Sequence, residues 1–301
     1  MLNYTLKRIF EKLNAIFLSN ALKEKLGKII VIFAIISFVL HLLIIGLIDF
    51  NVIDFGDYED NLFISPVSAI YTPFSIILIY EVYLLVFYLP KSITIYIGKQ
   101  YEIITLILIR KIFYDLSNLK FSSNWFSIEG DIQFTIDIVA TLILFFLIHK
   151  FYKLNAQNKF KKKQITYKTK SHIKVKNIFA TVLVPTIAFL ALISLGNWVL
   201  EIFTTTDFTS IKSVNSIFFD DFFTILILID VLLLLFSLLQ TEEFSRVIRN
   251  SGFVISTILI KLSFSADNII NTILIVFAVA FGVLILYIYN KYFKLNQSLK
   301  E

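Results

Sequence analysis

Apolar side chains come in long runs along this chain, and the polar positions between them are few and grouped. Strong runs cover about 29–50, 68–89, 132–151, 178–203, 222–240 and 269–292. Each approaches or exceeds the ~20 residues a helix needs to cross hydrocarbon. Two weaker runs, about 95–117 and 251–264, contain bases: Arg110 and Lys111 in one, Lys261 in the other. Ahead of the first run, Leu2, Leu6, Ile9, Leu13, Ile16 and Phe17 recur at helical spacing with Lys7, Arg8 and Lys12 among them. That pattern predicts an amphipathic helix on the membrane surface.

Charge decides how the runs are threaded. The loop after the first run carries Asp49, Asp54, Asp57, Glu59 and Asp60 and no base, whereas ten lysines follow the run ending near Phe151. Positive residues stay inside. Those ten lysines are inside only if the 95–117 stretch crosses, in spite of Arg110 and Lys111. With eight crossings, 23 of the 28 Lys and Arg lie on the inner side, three within spans (Arg110, Lys111, Lys261) and two outside (Lys120, Lys212). The expectation is an all-α membrane protein of eight transmembrane helices in a bacterial inner membrane, with both termini cytoplasmic.

The two halves match. Tyr80-Glu81-Val82 aligns with Ile229-Asp230-Val231, Leu108-Ile109-Arg110 with Leu259-Ile260-Lys261, and Phe151-Tyr-Lys-Leu-Asn155 with Tyr292-Phe-Lys-Leu-Asn296. An even-span unit begins and ends on one side, so its duplicate inserts in the same sense. The expected organisation is an amphipathic segment at 1–27, a four-helix repeat at 28–155, a Lys-rich cytoplasmic linker at 156–175 and a second, parallel four-helix repeat at 176–301.

Carboxylates inside apolar runs are costly and mark candidate functional positions. Counting 1.5 Å per helical residue from the inner flanks puts Glu81, Arg110, Asp230 and Lys261 each ~15–18 Å deep, near the midplane. Spans 2 and 3, and spans 6 and 7, are closely joined and expected to form antiparallel hairpins. The expected pairs are Glu81 with Arg110 and Asp230 with Lys261, with Asp137 at a depth matching Lys111. Each set is neutral, as burial requires. His41, near mid-depth in the first span, is a candidate relay to Glu81 and equally a hydrogen-bonded packing residue. Gly98 and Gly252, near the inner starts of spans 3 and 7, suit close helix packing.

Composition narrows the function. Hydrophobic residues make up 57% and charged residues 17%, with mean hydropathy +0.81. The formal charge of +6 sits beside apolar runs, so anionic lipid headgroups at the cytoplasmic Lys clusters, not nucleic acid, are the expected partners. There is no cysteine, and three scattered histidines suggest no metal site. No phosphate loop, dinucleotide fingerprint, zinc-protease motif or nucleophile elbow occurs, and no cofactor or enzymatic activity is expected. No short leader with a cleavage site is expected ahead of Ile29.

The stretches Gly98-Lys-Gln-Tyr-Glu-Ile103 and Arg249-Asn-Ser-Gly-Phe-Val254 resemble those of bacterial multi-pass inner-membrane proteins of unassigned function. The resemblance implies a fold class and no mechanism. A four-span unit with an acid on its second span is also similar to voltage-sensor domains. The base here is on span 3, however, and neither span 4 nor span 8 carries Arg at every third position. Two functions fit: transport or conductance of an ion, proton or small solute using Glu81, Asp230, Asp137 and His41 with Arg110, Lys111 and Lys261 as counter-ions, or a non-enzymatic scaffold or regulatory subunit in which the pairs lock the fold.

Overall fold

The computed structural model describes residues 2–50, 66–118, 129–157, 174–190, 193, 214–240 and 244–298, and those residues are helical apart from short turns. The acidic loop after the first run, most of the Lys-rich linker and the later part of the fifth run lie outside the described residues. The helices are α1 (Leu2–Phe17), α2 (Asn20–Asp49), α3 (Tyr71–Tyr88), α4 (Ile93–Asn118), α5 (Glu129–Gln157), α6 (174–190), α7 (Val214–Gln240), α8 (Phe244–Ser263) and α9 (Asn268–Ser298).

Among the described residues, three helices are long and apolar enough to cross a membrane: α2, α5 from Gly130, and α9 over Ile269–Phe293. Their surfaces carry the signature of lipid contact. On α2, Val31, Ile32, Phe33, Ile35, Ile36, Val39, Leu40 and Leu43 are all exposed, while Gln100, Thr105, Asp137, Thr141, Ser256, Thr257 and Thr272 of other helices are buried. Water would not tolerate so extended an apolar surface. A bilayer favours it, and sends polar side chains to the helix contacts.

Ser19 separates α1 from α2. Its hydroxyl accepts from the Leu22 amide and donates to the Ile16 carbonyl, both at 3.0 Å, so one side chain starts one helix and closes the other. The amphipathic element therefore ends at Phe17. The 30 residues of α2 span ~45 Å, about three turns more than a ~30 Å hydrocarbon core needs, and its first three turns carry Lys23, Lys25 and Lys28.

Two compact units divide the chain: residues 1–84, 106–138 and 184–219 form the first, residues 85–105, 139–183 and 220–301 the second. In the first, Phe74 of α3 stacks on Phe113 of α4 at 5.1 Å between ring centres. Residues from opposite ends of consecutive helices meet there, as in an antiparallel hairpin. In the second, the α8–α9 hairpin turns through Phe264–Asp267, and the Ser263 carbonyl that ends α8 accepts from the Ala266 amide (3.0 Å) and the Asn271 side chain (2.7 Å). Also in the second unit, a β-carbon on Gly98 would stand 2.9 Å from the Tyr152 hydroxyl, and one on Gly252 would stand 2.8 Å from Ile285. Both glycines thus allow a close helix approach.

Candidate functional site

In the second unit, Asp230 of α7 is 6% exposed and is held by neutral groups. The Gln100 side-chain amide of α4 donates to its Oδ2 at 3.1 Å. The Gln100 oxygen in turn accepts from the Thr257 hydroxyl of α8 at 2.8 Å, and the same hydroxyl lies 3.1 Å from the Phe253 carbonyl. Gln100 and Thr257 are buried. The Tyr96 hydroxyl, one turn inward of Gln100 on α4 and also buried, faces the carboxylate without closing a hydrogen bond of good geometry.

The cation acting on Asp230 comes from an unexpected helix. Lys176, near the start of α6 and two residues before the fifth apolar run, is 5% exposed and donates to the Lys91 carbonyl at 3.1 Å. Burial pushes its ammonium down to about 8; the Asp230 carboxylate opposes that shift and Arg249 adds to it. Lys261, the counter-ion expected from spacing, stands half-buried one turn along α8 beyond Thr257. The groups that act on Asp230 are Gln100, Tyr96, Lys176 and Thr257. The long lysine stem lets Lys176 extend to this site from a position ahead of the apolar run.

Lys176 makes stability pH-dependent in one direction. The unfolded lysine keeps its proton up to about 10.5 and the folded one up to about 8, so between those values the unfolded chain binds more protons. Stability contributed by this group therefore rises through the window pH 8–10.5, by roughly 3 kcal/mol in all. Thermal melting in detergent is expected to show this rise in the wild type and a smaller one in Lys176→Met.

A second polar ladder lies beside the first. The Ser256 hydroxyl of α8 donates its single proton to the Ala278 carbonyl of α9 at 2.7 Å. The 2.8 Å contact between the Tyr101 and Ser256 hydroxyls must then have Tyr101 as donor. Tyr101 is fully buried and packs edge-on against Phe151 of α5.

The first unit contains a different arrangement. Lys111 of α4 and Asp137 of α5, which the sequence places at matching depth, form an ion pair of 3.0 Å, and Gln133 donates to the other oxygen of Asp137 at 2.8 Å. Asp137 is fully buried. Arg110 is buried one residue away, and Asp115, one turn outward on α4, senses both Lys111 and Asp137.

Glu81 is half-buried, and its neighbours set its level. The Tyr80 hydroxyl donates to the Lys23 carbonyl at 3.1 Å, the Tyr83 hydroxyl to the Phe17 carbonyl at 2.8 Å, and Tyr80 lies against Gly27. Glu81 is therefore level with the basic start of α2. Both α1 and the start of α2 pack around this end of α3. The Phe74–Phe113 register puts residue 106 opposite Glu81, leaving Arg110 one turn, ~6 Å, farther out. His41 is buried and hydrogen-bonded to Thr72, nine residues or ~13 Å along α3 from Glu81. It joins α2 to α3.

The structure thus brings together Lys111 with Asp137, and Asp230 with Gln100, Thr257, Tyr96 and Lys176. Gln100 and Tyr96 sit in the Gly98–Ile103 stretch and beside it, where neutral residues gave no charge signal to follow. Among the described residues no group of three His, Asp or Glu side chains is arranged to hold a metal ion. Comparison with protein-family models, curated proteins and solved structures finds no match to this chain.

Proposed function

We propose that this is an eight-span inner-membrane protein of two parallel repeats, with both termini cytoplasmic, that moves a proton, ion or small solute past Asp230. One contrast carries the reading. A buried carboxylate that only locks a fold is neutralised by direct contact, as Asp137 is by Lys111 at 3.0 Å. Asp230 instead receives a neutral amide, with its nearest acting base, Lys176, bound to a backbone carbonyl. Such a group can change its charge state or partner without breaking an ion pair, as a transport site requires. The antiparallel α3–α4 and α8–α9 hairpins and the lipid-facing surfaces support the threading.

A non-enzymatic scaffold or regulatory subunit is the second reading, and the Lys111–Asp137 pair is the observation that favours it. Proteoliposomes separate the two. The wild type is expected to dissipate an imposed proton or cation gradient, and Asp230→Asn to fall to the level of protein-free vesicles. Undiminished flux through a folded Asp230→Asn protein would remove Asp230 as the site; no flux through the wild type would leave the scaffold.

A further inference from the structure

Among the described residues, the chain Asp230–Gln100–Thr257–Phe253 has a property the other polar contacts lack: it closes in either direction. With Asp230 ionised, Thr257 donates to the Gln100 oxygen and the Gln100 amide donates to the carboxylate, as observed. A half-turn of the amide about its last bond exchanges its oxygen and nitrogen while leaving their positions nearly unchanged. A protonated Asp230 then donates its O–H to the Gln100 oxygen. The Gln100 amide donates to the Thr257 hydroxyl oxygen. The Thr257 proton goes to the Phe253 carbonyl, already 3.1 Å away. Each link of the chain keeps one donor and one acceptor in both states.

We propose that Asp230 is a proton-binding site, and that taking up one proton reverses the hydrogen-bond chain through Gln100 and Thr257. This deepens the transport reading, on which it rests for its purpose, by naming the proton as the bound species. The reaction is carboxylate plus proton giving carboxylic acid, with nothing else consumed. Gln100 and Thr257 are positioning residues. The Lys111–Asp137 pair has no such freedom, because an ammonium only donates and cannot accept from a protonated acid.

The other groups facing the site favour one state or the other without interrupting the chain. Tyr96 from α4 faces the carboxyl with its hydroxyl and stands outside the chain. Lys176 from α6, with Arg249 of α8 acting on it, supplies positive charge that favours the carboxylate. Acidification adds a proton to Asp230, and the amide turns with it.

pH-difference infrared spectroscopy on the full chain in lipid nanodiscs tests this. With isotope-labelled aspartate and glutamine in the unmodified chain, acidification is expected to produce a carboxylic-acid carbonyl band and a glutamine amide change with one shared midpoint. Asp230→Asn should lose both. Gln100→Leu should keep the acid band at a frequency of weaker hydrogen bonding and lose the amide change, and Thr257→Val should also lose the amide change. An acid band that titrates with no glutamine change, or one that persists in Asp230→Asn, overturns the proposal, and the labelled wild type decides even where a variant does not fold. Both bands titrating together in a protein that shows no flux would remove the transport reading and keep this one; flux with no titrating aspartate would do the reverse.

Discussion

Gly282→Ala is expected to destabilise the second unit by about 3 kcal/mol, the upper part of the usual range for overpacking a core. An added β-carbon would stand 1.6 Å from the Tyr101 hydroxyl oxygen, 2.8 Å from the ring carbon that carries it and 3.2 Å from the Ser256 oxygen. Tyr101 has no room to retreat, being fully buried with its ring against Phe151. Moving it would break the Tyr101–Ser256 hydrogen bond that links α4 to the α8–α9 hairpin. The remedy follows from the same geometry. Tyr101→Phe removes the atom in the worst clash, and Ser256 keeps its acceptor, the Ala278 carbonyl. Thermal melting in detergent should therefore show Gly282→Ala losing less stability in the Tyr101→Phe background than in the wild type. Equal losses in the two backgrounds would mean that α4 does not approach α9 here.

Lys111→Met is the second large effect. It leaves the fully buried Asp137 with Gln133 as its named donor. Breaking a buried pair by removing one partner costs 3–5 kcal/mol, because the remaining charge stays out of water. About 3 kcal/mol is expected here, since the Lys111 side chain is 31% exposed and part of the pair's attraction is screened. Lys111→Met with Asp137→Asn should recover most of the loss, since no charge then remains buried. The same melting assay reads both, and a double variant no better than the single would show that Lys111 acts by packing and not by charge.

The sequence made the helices legible because apolar runs and lysine-rich flanks are strong, local signals. Eight apolar runs are expected, and α2 to α9 fall on them; among the described residues three helices are long and apolar enough to cross a membrane. Charge partners were only partly legible. Lys111 and Asp137 could be matched by depth because they lie on neighbouring helices joined in sequence. Asp230 could not be matched that way, because Lys176 lies ahead of the apolar run on the preceding helix and Gln100 comes from the other half of the chain. Neutral amides and hydroxyls do not stand out in an apolar run as charges do, yet they form the Asp230 chain. The packing of α1 and the start of α2 around the Glu81 turn of α3 was likewise not legible. Helix packing, which decides all three, leaves no periodic trace in a run that is apolar on every face.

The eight-span threading underlies every statement about Asp230, and it rests most heavily on α4 crossing the membrane. The chain contains no cysteine, so single thiols can be introduced without background. A cysteine at Ser122, after α4, and one at Ser171, before α6, should be labelled by a membrane-impermeant maleimide from opposite sides of intact cells: Ser122→Cys from outside, and Ser171→Cys only after the inner face is opened. Labelling of Ser171→Cys from outside would contradict the threading and remove the inner-flank origin of Lys176 on which the Asp230 site depends.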